Sequence, residues 1–126
     1  MKTCLHVDDS KAIRAIVRPI LVNLGFEVLE AGDGAEALKI CQAKFPDAIL
    51  LDWNMPVMDG LEFLKALRAT PGGDAPIVIF CTTENRPKQI EEGILAGANE
   101  YVMKPFNQDI LQSKFEGVGL LQSAAQ

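Results

Sequence analysis

Four short apolar runs, none of them alternating and each stopping at a polar residue, restrict this chain to few folds. They are Cys4-Leu5-His6-Val7 ahead of Asp8 and Asp9, Ala48-Ile49-Leu50-Leu51 ahead of Asp52, Ile77-Val78-Ile79-Phe80-Cys81 ahead of Thr82, and Tyr101-Val102-Met103 ahead of Lys104. A strand with one wet face alternates, whereas a continuous apolar strand must be covered on both faces, as in a parallel sheet with crossover helices. Helical segments separate the runs, so the pattern predicts repeated βα units: an α/β, three-layer, doubly wound (βα)5 architecture. Right-handed crossovers put every strand C-terminus on one edge, where ligands bind at the point of reversal in strand order. Asp8, Asp9, Asp52, Thr82 and Lys104, with Pro105 behind it, are therefore expected to converge.

Caps and periodicity mark the helices. Asp9 or Ser10 can cap a helix with Ile13, Ile16, Val17, Ile20, Leu21 and Leu24 on one face, closed by Gly25 in the left-handed region. Phe26 to Leu29 reads as the second strand. Asp33-Gly34-Ala35-Glu36 resembles a capping box for the next helix, and Phe45-Pro46 closes that helix. A third starts near Asp59 with Leu61, Phe63, Leu64 and Leu67 inward. Pro87 opens a fourth with Ile90, Ile94 and Leu95 inward, and Asn107 caps a fifth with Ile110, Leu111 and Phe115. Pro19 stands inside the first helix, where it removes a backbone hydrogen bond, and reads as a tolerated kink on the outer face.

At 126 residues the chain is expected to form one domain. Its apolar runs fall well below the roughly 18 residues of a membrane span, and no secretory segment opens it, so a cytoplasmic location is expected. A net charge of −5 without a basic stripe argues against nucleic acid as a direct partner. Cys4, Cys41 and Cys81 sit in apolar contexts and read as buried thiols.

Taken singly, the polar residues have ordinary explanations. Asp8 and Asp9 could cap a helix as readily as bind a metal, and His6, inside a strand with no Cys or His beside it, reads as a core residue. Asp52 is harder to dismiss, because a carboxylate ending the most hydrophobic strand is costly unless a cation balances it. Three clustered carboxylates attract a hard cation such as Mg²⁺. Beside it, Asp52 can act as a carboxylate nucleophile toward phosphorus, with Lys104 and the Thr82 hydroxyl on the equatorial oxygens. No glycine-rich phosphate loop is present, so the phosphoryl donor is expected to be a macromolecule or a small phosphate compound.

The Asp8-Asp9 pair, Asp52-Trp53-Asn54-Met55-Pro56-Val57-Met58-Asp59-Gly60, the Thr82 position, Gly97-Ala98 and Tyr101-Val102-Met103-Lys104-Pro105-Phe106 closely resemble response-regulator receiver domains, above all their single-domain chemotaxis members. The match runs from about Lys2 to Leu121. The resemblance implies strand order 2-1-3-4-5 and a receiver domain over residues 1–121 with a tail at 122–126 and no output domain. It implies that Asp52 accepts phosphate from a sensor histidine kinase or phosphotransfer protein, and that Asp8, Asp9, Asp52 and the Asn54 carbonyl hold Mg²⁺. Lys104 and Thr82 would contact the phosphoryl group, and the bond from Lys104 to Pro105 would be cis. Thr82 and Tyr101 would form the switch, and Asn54 and Thr83 would tune autodephosphorylation. The face of the fourth helix, fifth strand and fifth helix, about Arg86 to Phe115, would then change its affinity for a target such as the flagellar switch. The implied protein is a monomeric phospho-acceptor, not an enzyme with a separate substrate.

Other readings are a phosphate sink or shuttle, a receiver excised from a hybrid kinase, and an aspartyl-nucleophile phosphatase. The last usually carries an acid two residues beyond its nucleophile, where this chain has Asn54. A flavodoxin-like carrier would need a phosphate loop after the first strand, and Asp8 with Asp9 would repel a flavin phosphate.

Overall fold

The computed structural model describes residues 1–83 and 87–122. Within them five strands, β1 (Thr3–Val7), β2 (Glu27–Ala31), β3 (Ala48–Asp52), β4 (Ile77–Thr82) and β5 (Glu100–Met103), alternate with five helices. These are α1 (Lys11–Asn23), α2 (Gly34–Ala43), α3 (Gly60–Ala69), α4 (Pro87–Leu95) and α5 (Gln108–Gly117). All strands are parallel, in the order β2-β1-β3-β4-β5. The order reverses between β1 and β3, which places their C-terminal ends at the ligand-binding edge of a doubly wound sheet.

Unalternating strands imply two cores, and two are present. Cys4, Leu50, Ile79, Cys81 and Val102 face α1 and α5, where Phe26 and Phe115 meet at 4.7 Å between ring centroids. Leu5, Val7, Ile49, Leu51, Val78 and Phe80 face α2 and α3 with Phe63, Leu64 and Leu67. His6 lies on β1 at 2 % exposure, with its Nδ1 unpartnered. Burial drops its pKa to about 4, a change that the Asp8 charge opposes and Lys104 reinforces, so the ring is neutral at pH 7.

The caps follow the expected side-chain chemistry with three refinements. Ser10, not Asp9, accepts the Ile13 N–H at the start of α1. Asp33 accepts from Glu36 N–H, but the Glu36 carboxylate turns to Gly32 N–H, so only half a capping box forms there. The complete box is at Asp59 and Glu62 on α3. Gly25 closes α1 with φ 96°, a conformation that costs a residue with a Cβ. The first helix continues through Pro19, which is exposed.

Two helical faces differ from expectation. On α1 only Val17 and Leu21 are buried, while Ile16 is 63 % exposed, because it borders an open groove shared with Pro105 and Phe106. On α4 Ile94 and Leu95 are exposed and the buried position is Gly93, which lets the helix approach Phe80 and Trp53. The second strand runs to Ala31 rather than Leu29, since β1 pairs with it through Val7 and Ala31. Arg86, the expected start of the read-out face, and residues 123–126 of the expected tail lie outside the described residues.

Candidate functional site

Register brings the site together. Val7 pairs with Leu51, so Asp8 and Asp52 leave neighbouring strands at the same level, and Asp52 itself pairs with Cys81, one residue before Thr82. Thr82 pairs with Met103 and its carbonyl accepts the Lys104 N–H at 2.7 Å, which fixes where the lysine leaves β5. From there the long side chain reaches across β4. Its Nζ donates to Asp8 Oδ2 at 3.0 Å and to Asp52 Oδ1 at 3.1 Å. The Lys104–Pro105 peptide is cis.

Asp8 is buried and uses its other oxygen, Oδ1, to accept the Ser10 N–H at 2.9 Å. The capping residue of α1 thereby orients an acid of the site, a link that the Asp-Asp-Ser order alone does not disclose. Carboxylate oxygens of Asp8, Asp9 and Asp52 lie within 4.8 Å of one another. Asp9 is exposed at the rim and Asp52 keeps 13 % of its side chain accessible, which is access enough for a small reactant.

The charges are unbalanced. Three carboxylates face one ammonium, leaving two negative charges on a half-buried rim. Burial raises the Asp52 pKa, Lys104 counteracts it, and Asp8 and Asp9 add to it. Burial alone depresses Lys104, yet the hydrogen bond to Asp8 and the charge of Asp52 outweigh it and hold the ammonium above the ordinary lysine value. An all-oxygen donor set with two surplus negative charges fits a small divalent cation such as Mg²⁺.

Thr82 is buried at the end of β4 and Thr83 is exposed beside it. Tyr101 is half-buried and, with Thr82, Trp53 and Phe80, borders a small cavity under α4. Trp53 meets Phe80 at 4.8 Å between ring centroids, the two planes tilted by 39°.

The stretch from the end of β3 to the first residue of α3 holds two features that sequence reasoning missed. Gly60 donates to the Trp53 carbonyl at 2.9 Å, and a Cβ there would lie 2.4 Å from the Asp52 carbonyl oxygen. The quoted Asp59-Gly60 pair was the only available signal. Val57 has φ 67° at the centre of a three-residue turn closed by Met58 N–H on the Pro56 carbonyl at 2.7 Å. A β-branched residue is strained there, and its side chain is 82 % exposed, so no burial offsets the cost. Val57→Asn is expected to raise stability by about 1 kcal/mol, seen as a higher urea midpoint at constant slope. An unchanged or lower midpoint would show that the backbone at Val57 is not strained.

Residues 4–116 match the sequence model of the response regulator receiver domain. The chain is 40 % identical to the chemotaxis protein CheY1 of Helicobacter pylori, over 90 % of this chain and 94 % of that one. It is 38 % identical to the CheY homologue of Campylobacter jejuni, over 97 % and 98 %. Among solved structures, CheY4 of Vibrio cholerae superposes with a TM-score of 0.88 at 41 % identity, covering 94 % of this chain and 98 % of that one. The receiver domain of a Pseudomonas aeruginosa sensor histidine kinase, solved with a magnesium ion coordinated in its active site cleft, gives 0.84 at 29 % identity, over 92 % and 95 %. A family match over most of the length, the predicted strand order and an acidic rim at the point of reversal agree: the chain belongs to the response regulator receiver domain family.

Proposed function

We propose that this receiver accepts a phosphoryl group on Asp52 from the phosphohistidine of a histidine kinase or phosphotransfer protein, and that the transfer changes the surface it offers a target. The observation carrying this reading is the placement of Asp52 Oδ1 3.1 Å from Lys104 Nζ inside the Asp8–Asp9–Asp52 cluster. The Asp52 carboxylate attacks phosphorus, the bond from phosphorus to the donor imidazole nitrogen breaks, and its electron pair returns to the ring. Lys104 turns from Asp52 to the new phosphoryl oxygens, and the Thr82 hydroxyl takes another, as charge develops there.

Asp9, exposed at the rim, would hold Mg²⁺ together with Asp52 and the Asn54 carbonyl. Asp8, whose two oxygens already accept hydrogen bonds, would contribute its charge to the ion largely through water. The bound ion supplies charge neutralisation for the phosphoryl oxygens. Asn54 and Thr83, both exposed, tune hydrolysis, the amide by orienting the attacking water and the threonine by adding bulk to its approach. Movement of Thr82 is answered by Tyr101, whose ring turns into the cavity they share. The protein thus assists its own phosphorylation and dephosphorylation without turning over a separate substrate. The chemotaxis names of the relatives above favour motility control, with the face from α4 through β5 to α5 as the target-binding surface. No described helix is long and apolar enough to cross a membrane.

Trp53 follows the acceptor directly and reports on the site. Mg²⁺ and then beryllofluoride are expected to change its fluorescence. Asp9→Ala is expected to raise the half-saturating Mg²⁺ concentration at least about 10-fold. Superimposable titrations of variant and parent would remove Asp9 from the ligand set.

A further inference from the structure

We infer that Lys114 on α5 is a latch on the Tyr101 ring that holds the read-out face in its resting state. The inference rests on the reading of Thr82 and Tyr101 as the switch, and adds what opposes that switch in this chain. Three contacts link Lys114, Glu100 and Tyr101. The Lys114 ammonium stands 5.0 Å from the ring centroid. The same ammonium is 3.5 Å from Glu100 Oε1. That oxygen accepts the Tyr101 N–H at 2.8 Å. One carboxylate oxygen therefore addresses both the backbone of Tyr101 and the cation against its ring, so Glu100 places Lys114 where the ring's negative face can attract it.

The ring lies between two environments. On one side is the apolar cavity bordered by Trp53, Phe80, Thr82, Ile90 and Ile94, and on the other is α5 with its ammonium. Lys114 and Glu100 side chains are 30 % and 32 % exposed, so the attraction is partly screened and modest in size. A modest term suits a switch, because a latch much stronger than the activating interaction would lock it. Whatever favours the ring against α5 weakens, by the same factor, any ligand that requires the ring in the cavity.

The test uses the full chain with beryllofluoride and Mg²⁺ as the activating probe. Lys114→Met removes the cation while keeping the stem, and is expected to lower the half-saturating beryllofluoride concentration about 3- to 5-fold. Lys114→Arg restores a cation over the ring and is expected to return the parent value, which a general loosening of α5 does not do. Ring-carbon NMR of Tyr101 in the free protein gives a second readout, independent of phosphoryl chemistry: Lys114→Met is expected to shift the ring signals toward those of the beryllofluoride state or, lacking that state, toward contact with Trp53. Unmoved ring signals or an unchanged midpoint in Lys114→Met would overturn the latch. A parent that ignores beryllofluoride while its ring signals shift on Lys114→Met would overturn the acceptor-site reading and support the latch.

Discussion

Asp52→Asn is expected to reduce labelling by acetyl phosphate or a cognate kinase to below roughly 1 % of the parent, because an amide oxygen is no nucleophile toward phosphorus. The replacement is nearly isosteric. Lys104 keeps its 3.0 Å contact with Asp8, and Asp52 is not part of either packed core, so the fold is expected to survive with its circular dichroism and denaturant midpoint close to the parent's. Survival of the fold makes the loss interpretable. The label in the parent should be sensitive to hydroxylamine, as an acyl phosphate is, and undiminished labelling of the variant would move the acceptor elsewhere. Neither Asp8 nor Asp9 is a ready substitute: Asp8 is buried with both oxygens engaged, and Asp9 stands at the rim, outside the 3.1 Å contact that Lys104 makes with Asp52.

The convergence of these residues was legible because it depends on topology, not on packing detail. Continuous apolar runs require a parallel sheet, a parallel sheet puts its strand ends on one edge, and the polar residues closing each run follow. Strand order itself came from the family resemblance, since run lengths and helix spacing are equally consistent with other doubly wound orders. What stayed hidden depends on three-dimensional proximity. Exposure of Ile94 and Leu95 on α4 follows from Gly93, whose missing side chain sets how the helix meets Phe80 and Trp53, and periodicity cannot see that. Nor could spacing reveal Arg68, which donates to the carbonyls of Gly73, Pro76 and Gly97 and so ties α3 to the loops that lead into β4 and β5. A lone arginine near a helix end reads as a solvated charge or a partner for the helix dipole. The left-handed backbone of Val57 had no signal at all, because valine is a residue that avoids it.

Gly60 joins fold and site most directly, and Gly60→Ala is expected to be strongly destabilising. It is the first residue of α3, and its N–H holds the Trp53 carbonyl immediately after β3. An added Cβ would lie 2.4 Å from the Asp52 carbonyl oxygen, 2.9 Å from Phe80 Cε1 and 3.1 Å from Trp53 Cα. Two of the three are backbone atoms, which have no rotamer to escape into, so either α3 lifts away or the end of β3 bends. Lifting α3 opens the core around Phe63 and Leu64, both fully buried. Bending β3 displaces Asp52 from Lys104. The expected cost is at least about 3 kcal/mol, or roughly 10 °C in Tm for a domain of this size. Phosphorylation should slow as well, since a displacement of even an ångström at a reacting group can cost on the order of 100-fold in rate. Gly117→Ala is the control: no atom lies within 4 Å of a Cβ there, so that variant should match or exceed the parent in stability and label at the parent rate. Equal melting temperatures for Gly60→Ala and Gly117→Ala would mean that β3 and α3 do not meet as closely as 2.4 Å requires.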